Sequence, residues 1–159
     1  MIDGVKIKVL KVFKDIPDTP QKETDKLGCL MEVVRNDEDL LKKFGQTTFT
    51  ITYPGAIKGF HWHKLQDDIW FVATGKAKIV LYDMRETSPT KGETQVIYAG
   101  TDDYKVVVIP VGVIHGYKVI GDNPVLMFYH TTESYNAQSP DELRIAYDDP
   151  KVNFDWSQD

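Results

Sequence analysis

The stretch that decides the fold is Gly55-Ala-Ile-Lys-Gly-Phe-His61-Trp-His63-Lys-Leu-Gln-Asp-Asp68-Ile-Trp-Phe-Val-Ala-Thr-Gly75, followed downstream by Pro110-Val-Gly-Val-Ile-His115. In an extended strand, side chains two residues apart project from the same face, so His61 and His63 point to one side. Asp68 and His115 add a carboxylate and a third imidazole. The pattern therefore predicts β-strands that bring reactive polar side chains to the inside of a barrel.

The composition is that of a globular protein, with 42% apolar and 27% charged residues among 159. This length predicts one domain over residues 1–159. A net charge of −5 does not favour binding to phosphate backbones or anionic lipid, so neither nucleic acid nor membrane is an expected partner. The longest apolar run, 106–114, is too short to span a bilayer. A single cysteine, Cys29, and a start without signal-peptide character favour a cytoplasmic location.

Short runs rich in Val, Ile, Tyr and Phe recur between turn residues and predict an all-β sandwich or barrel. Two short helical pieces are also predicted: residues 37–44, which end at Gly45, and one turn at 139–142, where Ser and Glu form a capping box. Neither is long enough to cross between parallel strands, so the sheets should be antiparallel. The predicted strands lie near 5–13, 28–34, 47–53, 57–63, 69–74, 77–83, 94–99, 104–109, 115–120 and 125–131.

The first stretch resembles the first motif of the cupin superfamily, with Asp68 where Glu is usual, and residues 110–115 resemble its second motif. Over roughly 25–156 the chain is more specifically similar to dTDP-4-dehydrorhamnose 3,5-epimerases. The most diagnostic segment is Asp83-Met-Arg-Glu-Thr-Ser-Pro-Thr-Lys-Gly92, which is either a substrate loop or a structural turn. The resemblance implies a cupin double-stranded β-helix, a jelly roll, with N-terminal strands and short peripheral helices. Further matching segments are 55–61, 66–75, 109–117, 129–135 and 147–156.

The resemblance implies an isomerase that inverts carbons next to the ketone of a nucleotide-linked 4-keto-6-deoxy sugar, in polysaccharide or deoxysugar biosynthesis. Such chemistry needs a base that removes a proton acidified by the carbonyl and an acid that returns one from the other face. His61 falls on the family's base and Tyr129 on its acid. A homodimer and no required cofactor are also implied. The implied substrate-binding positions are Lys58, Gln66, His115 and Tyr135.

Three departures from the family pattern bear on activity. The family's base is paired with an Asp well beyond residue 156, and this partner is expected to be absent here. Asp67, Asp68 or an acid from elsewhere are the candidates to replace it. Leu27 stands where the family has an Arg that contacts the diphosphate. His63 replaces a usual Gln, and Asp68 replaces a usual Lys.

The third departure leaves two alternatives open. His61, His63, Asp68 and His115 form an ordinary ligand set for Zn, Fe, Ni, Mn or Co, which favours a metal-dependent isomerase or oxygenase. A nitrogen lone pair that binds a cation cannot also accept a proton, so a ligated His61 would be a poor base. Alternatively, His63 and Asp68 orient His61 by hydrogen bonds without a metal. A non-catalytic carbohydrate-binding protein is a further interpretation. His130, which no motif supports, is expected to be structural.

Overall fold

The computed structural model describes residues 1–15 and 27–158, and within these ranges the secondary structure consists of β-strands without helices. The strands are β1 (Lys6–Val9), β2 (Phe13–Lys14), β3 (Cys29–Leu30), β4 (Gln46–Thr52), β5 (Ile57–Trp62), β6 (Asp68–Thr74), β7 (Lys76–Asp83), β8 (Thr94–Gly100), β9 (Lys105–Ile109), β10 (Val113–Ile120), β11 (Val125–Thr131) and β12 (Leu143–Arg144).

Two antiparallel five-stranded sheets form the body of the protein. The first has the order β1-β9-β6-β11-β4 and the second the order β12-β5-β10-β7-β8, with a small β2-β3 ribbon beside them. From β4 to β7 the chain alternates between the sheets at every strand, and β9, β10 and β11 alternate again. The predicted all-β double-stranded β-helix with N-terminal strands is thereby confirmed.

The apolar core lies in three layers. The central layer, between the sheets, includes Trp70, Ile79, Val107 and Met127. A second cluster covers the outer face of the first sheet, where residues 31–41 pack on the strands. A third cluster covers the outer face of the second sheet, where the segment around Trp156 packs. The two sheets are thus held face to face, which fixes the groups that point between them.

The two predicted helical pieces are wrong, because tertiary contacts replace helix formation in both segments. An isolated helix of eight residues is only marginally stable. At 37–44 the chain instead lies beside β1. Lys6 Nζ donates a hydrogen bond to the Asp39 carboxylate at 2.5 Å, and Lys8 Nζ donates one to the Glu38 carboxylate at 2.7 Å. Leu40 still packs on the outer face of the first sheet. At 139–142 the chain forms no helix and leads into β12, a strand that the sequence pattern did not indicate.

The N-terminal strand predictions were too long. The run predicted at 5–13 divides into β1 and β2, and the run at 28–34 is reduced to the two residues of β3.

Cys29 is exposed and free of disulfide bonds. Within the described ranges, no helix is long and apolar enough to cross a membrane. The single domain over 1–159 stays a prediction.

Candidate active site

A cavity of about 870 Å³ lies between the two sheets and opens to solvent. Both predicted catalytic residues, His61 and Tyr129, line it. Of the predicted substrate-binding residues, Lys58, Gln66 and Tyr135 also line it. The fourth, His115, is only 1% exposed and is not among the lining residues. The structure therefore brings together most of the predicted site and places His115 behind it.

His61 and His115 are brought side by side by the pairing of β5 with β10. They are opposite each other in the antiparallel register, just before a register shift in β10. Gly116 allows this close approach, because a Cβ there would lie 2.8 Å from the carbonyl oxygen of Lys58. The ring centroids of His61 and His115 are 4.1 Å apart. His115 therefore supports the ring of His61 from within the core.

Asp68 begins β6 in the opposite sheet and is the buried anion of the site, with 2% exposure. Its Oδ1 accepts a hydrogen bond from Gln66 Nε2 at 2.9 Å, and its Oδ2 accepts one from Trp70 Nε1 at 3.1 Å. The Nε2 atoms of His63 and His115 each lie 3.6 Å from one of these oxygens. The four potential ligand atoms of His61, His63, Asp68 and His115 all lie within 4.8 Å of one another.

The Nδ1 atoms of the two buried imidazoles are engaged by backbone carbonyls. His115 Nδ1–H donates to Val113 O at 2.8 Å, and His63 Nδ1–H donates to Asp141 O. Their Nε2 atoms are buried and have no hydrogen-bond partner. Since a neutral imidazole carries one N–H, both Nε2 atoms present a lone pair towards Asp68 when the rings are neutral.

Burial and neighbouring charges separate the titration of these groups. Desolvation, reinforced by electrostatic repulsion from the adjacent His115, lowers the pKa of His61 to about 2. Burial opposes the charged forms of His63 and Asp68 as well, but their mutual attraction prevails. Asp68 raises the pKa of His63, and His63 and His115 together hold the pKa of Asp68 well below its usual range. At neutral pH, His61 is therefore uncharged and Asp68 is ionised.

Tyr129 faces the cavity from the first sheet, whereas His61 faces it from the second. Tyr129 lies on β11 and is paired in register with Trp70 of β6. Lys58, an exposed residue of β5, donates from Nζ to Thr50 Oγ1 at 2.9 Å. The cavity thus has an imidazole on one wall, a phenol on the other and a cation at its rim.

The cavity is also lined by Asp141, Glu142 and Arg144, residues that the sequence interpretation missed. Arg144 is opposite His61 in the β12–β5 register and pairs with Glu142 at 2.5 Å. The Asp141 carboxylate accepts hydrogen bonds from the backbone N–H groups of residues 64–66. The capping box predicted from Ser139 and Glu142 does not form, and it is the Asp141 carboxylate that caps the backbone of the loop after His63.

The fold and the site define a cupin with a ligand cavity between its two sheets. A family model described as dTDP-4-dehydrorhamnose 3,5-epimerase matches residues 16–159. The chain belongs to this family, as its sequence resemblance implied, and the predicted isomerase class is confirmed.

Individual relatives agree with this assignment. The chain is 50% identical over 157 residues to the spore coat polysaccharide biosynthesis protein SpsL of Bacillus subtilis, covering 99% of this chain and 97% of that protein. It is 36% identical to a probable low-salt glycan biosynthesis epimerase of Haloferax volcanii, covering 86% and 89%. A crystal structure of a dTDP sugar isomerase from Desulfovibrio desulfuricans superposes with a TM-score of 0.84 at 26% identity, covering 99% and 94%.

Proposed function

We propose that this protein epimerises a dTDP-linked 4-keto-6-deoxy sugar at a carbon next to its ketone, with His61 as the base and Tyr129 as the acid. One observation carries the proposal: the two residues line the same cavity from opposite sheets. Inversion needs a proton to leave from one face of the sugar and to return on the other face. An imidazole and a phenol on opposite walls meet that requirement.

The neutral state of His61 fits its role, while the burial that keeps this ring neutral also weakens it as a base. Because the pKa of His61 is lowered, its ring is neutral at pH 7 and one nitrogen lone pair is free to take the carbon-bound proton. The electron pair of the broken C–H bond moves into the enolate, whose charge rests on the carbonyl oxygen. Tyr129 then gives its hydroxyl proton to the opposite face of the same carbon. Proton exchange with solvent returns both side chains to their starting states.

Substrate binding is assigned to the rim and walls of the cavity. Lys58 is placed to meet a phosphate of the nucleotide, and Tyr135, which is largely exposed, offers an aromatic surface to a ligand in the same cavity. Gln66 is held by its bond to Asp68, so its role is to shape the wall as much as to bind sugar. The exposed Leu27 supplies no cation for the diphosphate. His115, enclosed behind His61, would support the base rather than contact the sugar.

A homodimer in the cytoplasm is part of the same proposal. The outer face of the first sheet exposes Phe49, Ile51 and Phe128 beside the edge strand β4, and the rings of Phe49 and Phe128 are 4.8 Å apart. Exposed apolar clusters of this kind are typical of subunit interfaces. The cytoplasmic location is supported by the exposed, unpaired Cys29.

The test is uptake of solvent deuterium into a dTDP-linked 4-keto-6-deoxy sugar, followed by mass spectrometry and NMR. The wild-type protein should exchange the proton next to the ketone, and His61→Asn should abolish the exchange. Tyr129→Phe should leave exchange by the base measurable while slowing formation of the inverted product. The matched controls are His130→Ala and Tyr53→Phe, since neither residue lines the cavity. Unchanged exchange in His61→Asn would contradict the assignment of the base. Ligand binding without exchange by wild type would favour a binding protein instead.

A further inference from the structure

The wall of the cavity has few positive charges for a ligand that carries phosphates. Its described part holds the side chains of one lysine, one arginine and four acidic residues: Lys58, Arg144, Asp68, Glu133, Asp141 and Glu142. A diphosphate is strongly anionic, so it is disfavoured beside carboxylates unless cations meet it directly. Leu27 supplies no charge and is not among the lining residues. Lys58 would therefore have to hold both phosphates unless Arg144 takes part.

The short strand β12 places Arg144 beside the proposed base. Arg144 lies opposite His61 in the antiparallel register of β12 and β5. Residues opposite each other in such a pair project from the same face of the sheet, with Cα atoms about 5 Å apart. Both side chains accordingly line the cavity. Burial is the largest cause of the lowered pKa of His61, and the charge of Arg144 is one of the smaller causes, which places the guanidinium within electrostatic range of the base.

The guanidinium of Arg144 is available to a ligand. Its side chain is 78% exposed, and within residues 1–15 and 27–158 its one ion pair joins Nη2 to Glu142 Oε1 at 2.5 Å. A guanidinium has several N–H donors, so this contact leaves others for phosphate oxygens. The planar fork of an arginine binds two oxygens of one phosphate at once, which the ammonium of a lysine does not match. Arg144 thus offers a fork-shaped cation at the open end of the cavity.

We propose that Arg144 binds the phosphate to which the sugar is attached, and so selects a substrate linked through a diphosphate. This assignment rests on the proposed function, which puts the reacting carbon of the sugar beside His61. The phosphate is bonded through one oxygen to the same sugar ring, so a cation opposite His61 lies close to it. Lys58, three residues from His61, is about 10 Å away along β5 and meets the other phosphate. Before the substrate binds, Glu142 neutralises the guanidinium.

The test measures binding of nucleotides alone, by isothermal titration calorimetry. dTDP contains the phosphate that would bear the sugar, whereas dTMP lacks it. Arg144→Ala should weaken binding of dTDP by about 10-fold to 100-fold and leave binding of dTMP nearly unchanged. Arg144→Lys should recover part of the loss, because it keeps the charge without the fork. Glu142→Gln should bind dTDP at least as tightly as wild type, because a competing carboxylate is removed. The matched control is Arg35→Ala, whose guanidinium pairs with Glu32 and Asp37 outside the cavity and which should bind dTDP like wild type.

Steady-state kinetics distinguish a contact with the phosphate from a contact with the enolate. A phosphate contact is the same in the bound substrate and in the transition state. Arg144→Ala should therefore raise KM for the dTDP-linked sugar by about the factor lost in dTDP binding and leave kcat nearly unchanged. A lowered kcat at unchanged KM would overturn the assignment, because it would place the guanidinium on the enolate oxygen.

The outcomes separate the phosphate contact from the proposed reaction. The contact is overturned if wild type shows no saturable dTDP binding, or if Arg144→Ala with an unchanged circular dichroism spectrum binds dTDP like wild type. Equal losses for dTDP and dTMP, or a loss in Glu142→Gln that matches the loss in Arg144→Ala, would overturn it too. If dTDP binding depends on Arg144 but no sugar exchanges deuterium, the contact stands and the proposed function fails. If deuterium exchanges while dTDP binding is independent of Arg144, the function stands and the contact fails.

Discussion

Replacement of Asp83 by Asn is expected to destabilise the protein without altering its cavity. The Asp83 carboxylate is fully buried at the start of the loop 84–93. It accepts hydrogen bonds from Arg85 Nε and Nη2, both at 2.8 Å, from Ser88 Oγ at 2.5 Å and from Thr90 Oγ1 at 2.7 Å. Arg85 Nη2 also donates to the carbonyl of Asp3 at 2.7 Å, which ties the loop to the N-terminal turn.

The size of the effect follows from these contacts. Removing one partner of a buried ion pair costs about 3–5 kcal/mol. The Arg85 side chain is 23% exposed, so water recovers part of that loss, and the hydroxyls of Ser88 and Thr90 find other partners. We therefore expect a destabilisation of about 2–3 kcal/mol, which lowers the melting temperature by roughly 4–12 °C in a domain of this size.

The pH dependence has a definite sign. The Arg85 side chain, together with Ser88 and Thr90, lowers the pKa of Asp83 well below its usual range. The carboxylate therefore contributes its full share to the free energy of unfolding above its unfolded pKa of about 3.9. This contribution is lost as the pH falls towards the pKa of Asp83 in the folded protein. The difference between wild type and Asp83→Asn should be largest near neutral pH and should shrink below about pH 4.

Urea unfolding at several pH values measures this difference. The matched control is Glu86→Gln in the same loop, because Glu86 is exposed and its surface pair with Lys91 is expected to contribute less than about 1 kcal/mol. An Asp83→Asn protein with wild-type stability at neutral pH would refute the reasoning. If instead it lost substrate binding at unchanged stability, the segment 83–92 would be a substrate loop.

Three further predictions concern packing and assembly. Gly75→Ala should prevent accumulation of soluble protein, because φ at Gly75 is +74° and a Cβ there would lie 2.3 Å from the Pro124 carbonyl oxygen. The control is Gly121→Ala, which should fold, because φ is the same and the space around Gly121 is open. Trp156→Ala should cost about 3–5 kcal/mol in urea unfolding, since the indole is buried against the second sheet; a loss below about 1 kcal/mol would show that this segment is not part of the core. Phe49→Ser should shift the protein towards monomer in sedimentation velocity, and an unchanged dimer would place the interface elsewhere.

The part of the fold that the sequence predicted well is the part set by local periodicity. The strands from β4 to β11 follow alternating or continuous apolar runs between turn residues, and the structure has each of them within a few residues of its predicted bounds. The side-by-side placement of His61 and His63 also follows from the two-residue period of a strand. That His115 lies opposite His61, however, depends on the β5–β10 register, which only the assembled sheet determines.

What the sequence could not predict are segments whose structure depends on distant partners. Residues 37–44 have apolar side chains at helical spacing, Leu40, Leu41 and Phe44. Salt bridges to the lysines of β1 and packing on the first sheet nevertheless hold this segment as a series of turns and bends. β12 is only two residues long and becomes a strand by pairing with β5. Asp141 caps a loop more than seventy residues away in sequence. These contacts carry no local signature, so Arg144 beside the base was not indicated either.

The sequence left two interpretations of His61 in conflict, one as a general base and one as a metal ligand. The conflict arose because all four groups were assigned to one ligand set. In the structure, His63 and His115 each donate from Nδ1–H to a backbone carbonyl and hold Nε2 at 3.6 Å from an oxygen of Asp68. A base abstracts a carbon-bound proton faster when a carboxylate stabilises its protonated form. The Asp68 carboxylate lies within 4.8 Å of the His61 ring, and its charge raises the pKa of that imidazole against the larger effect of burial, so Asp68 is the carboxylate that would take the place of the usual partner of the base.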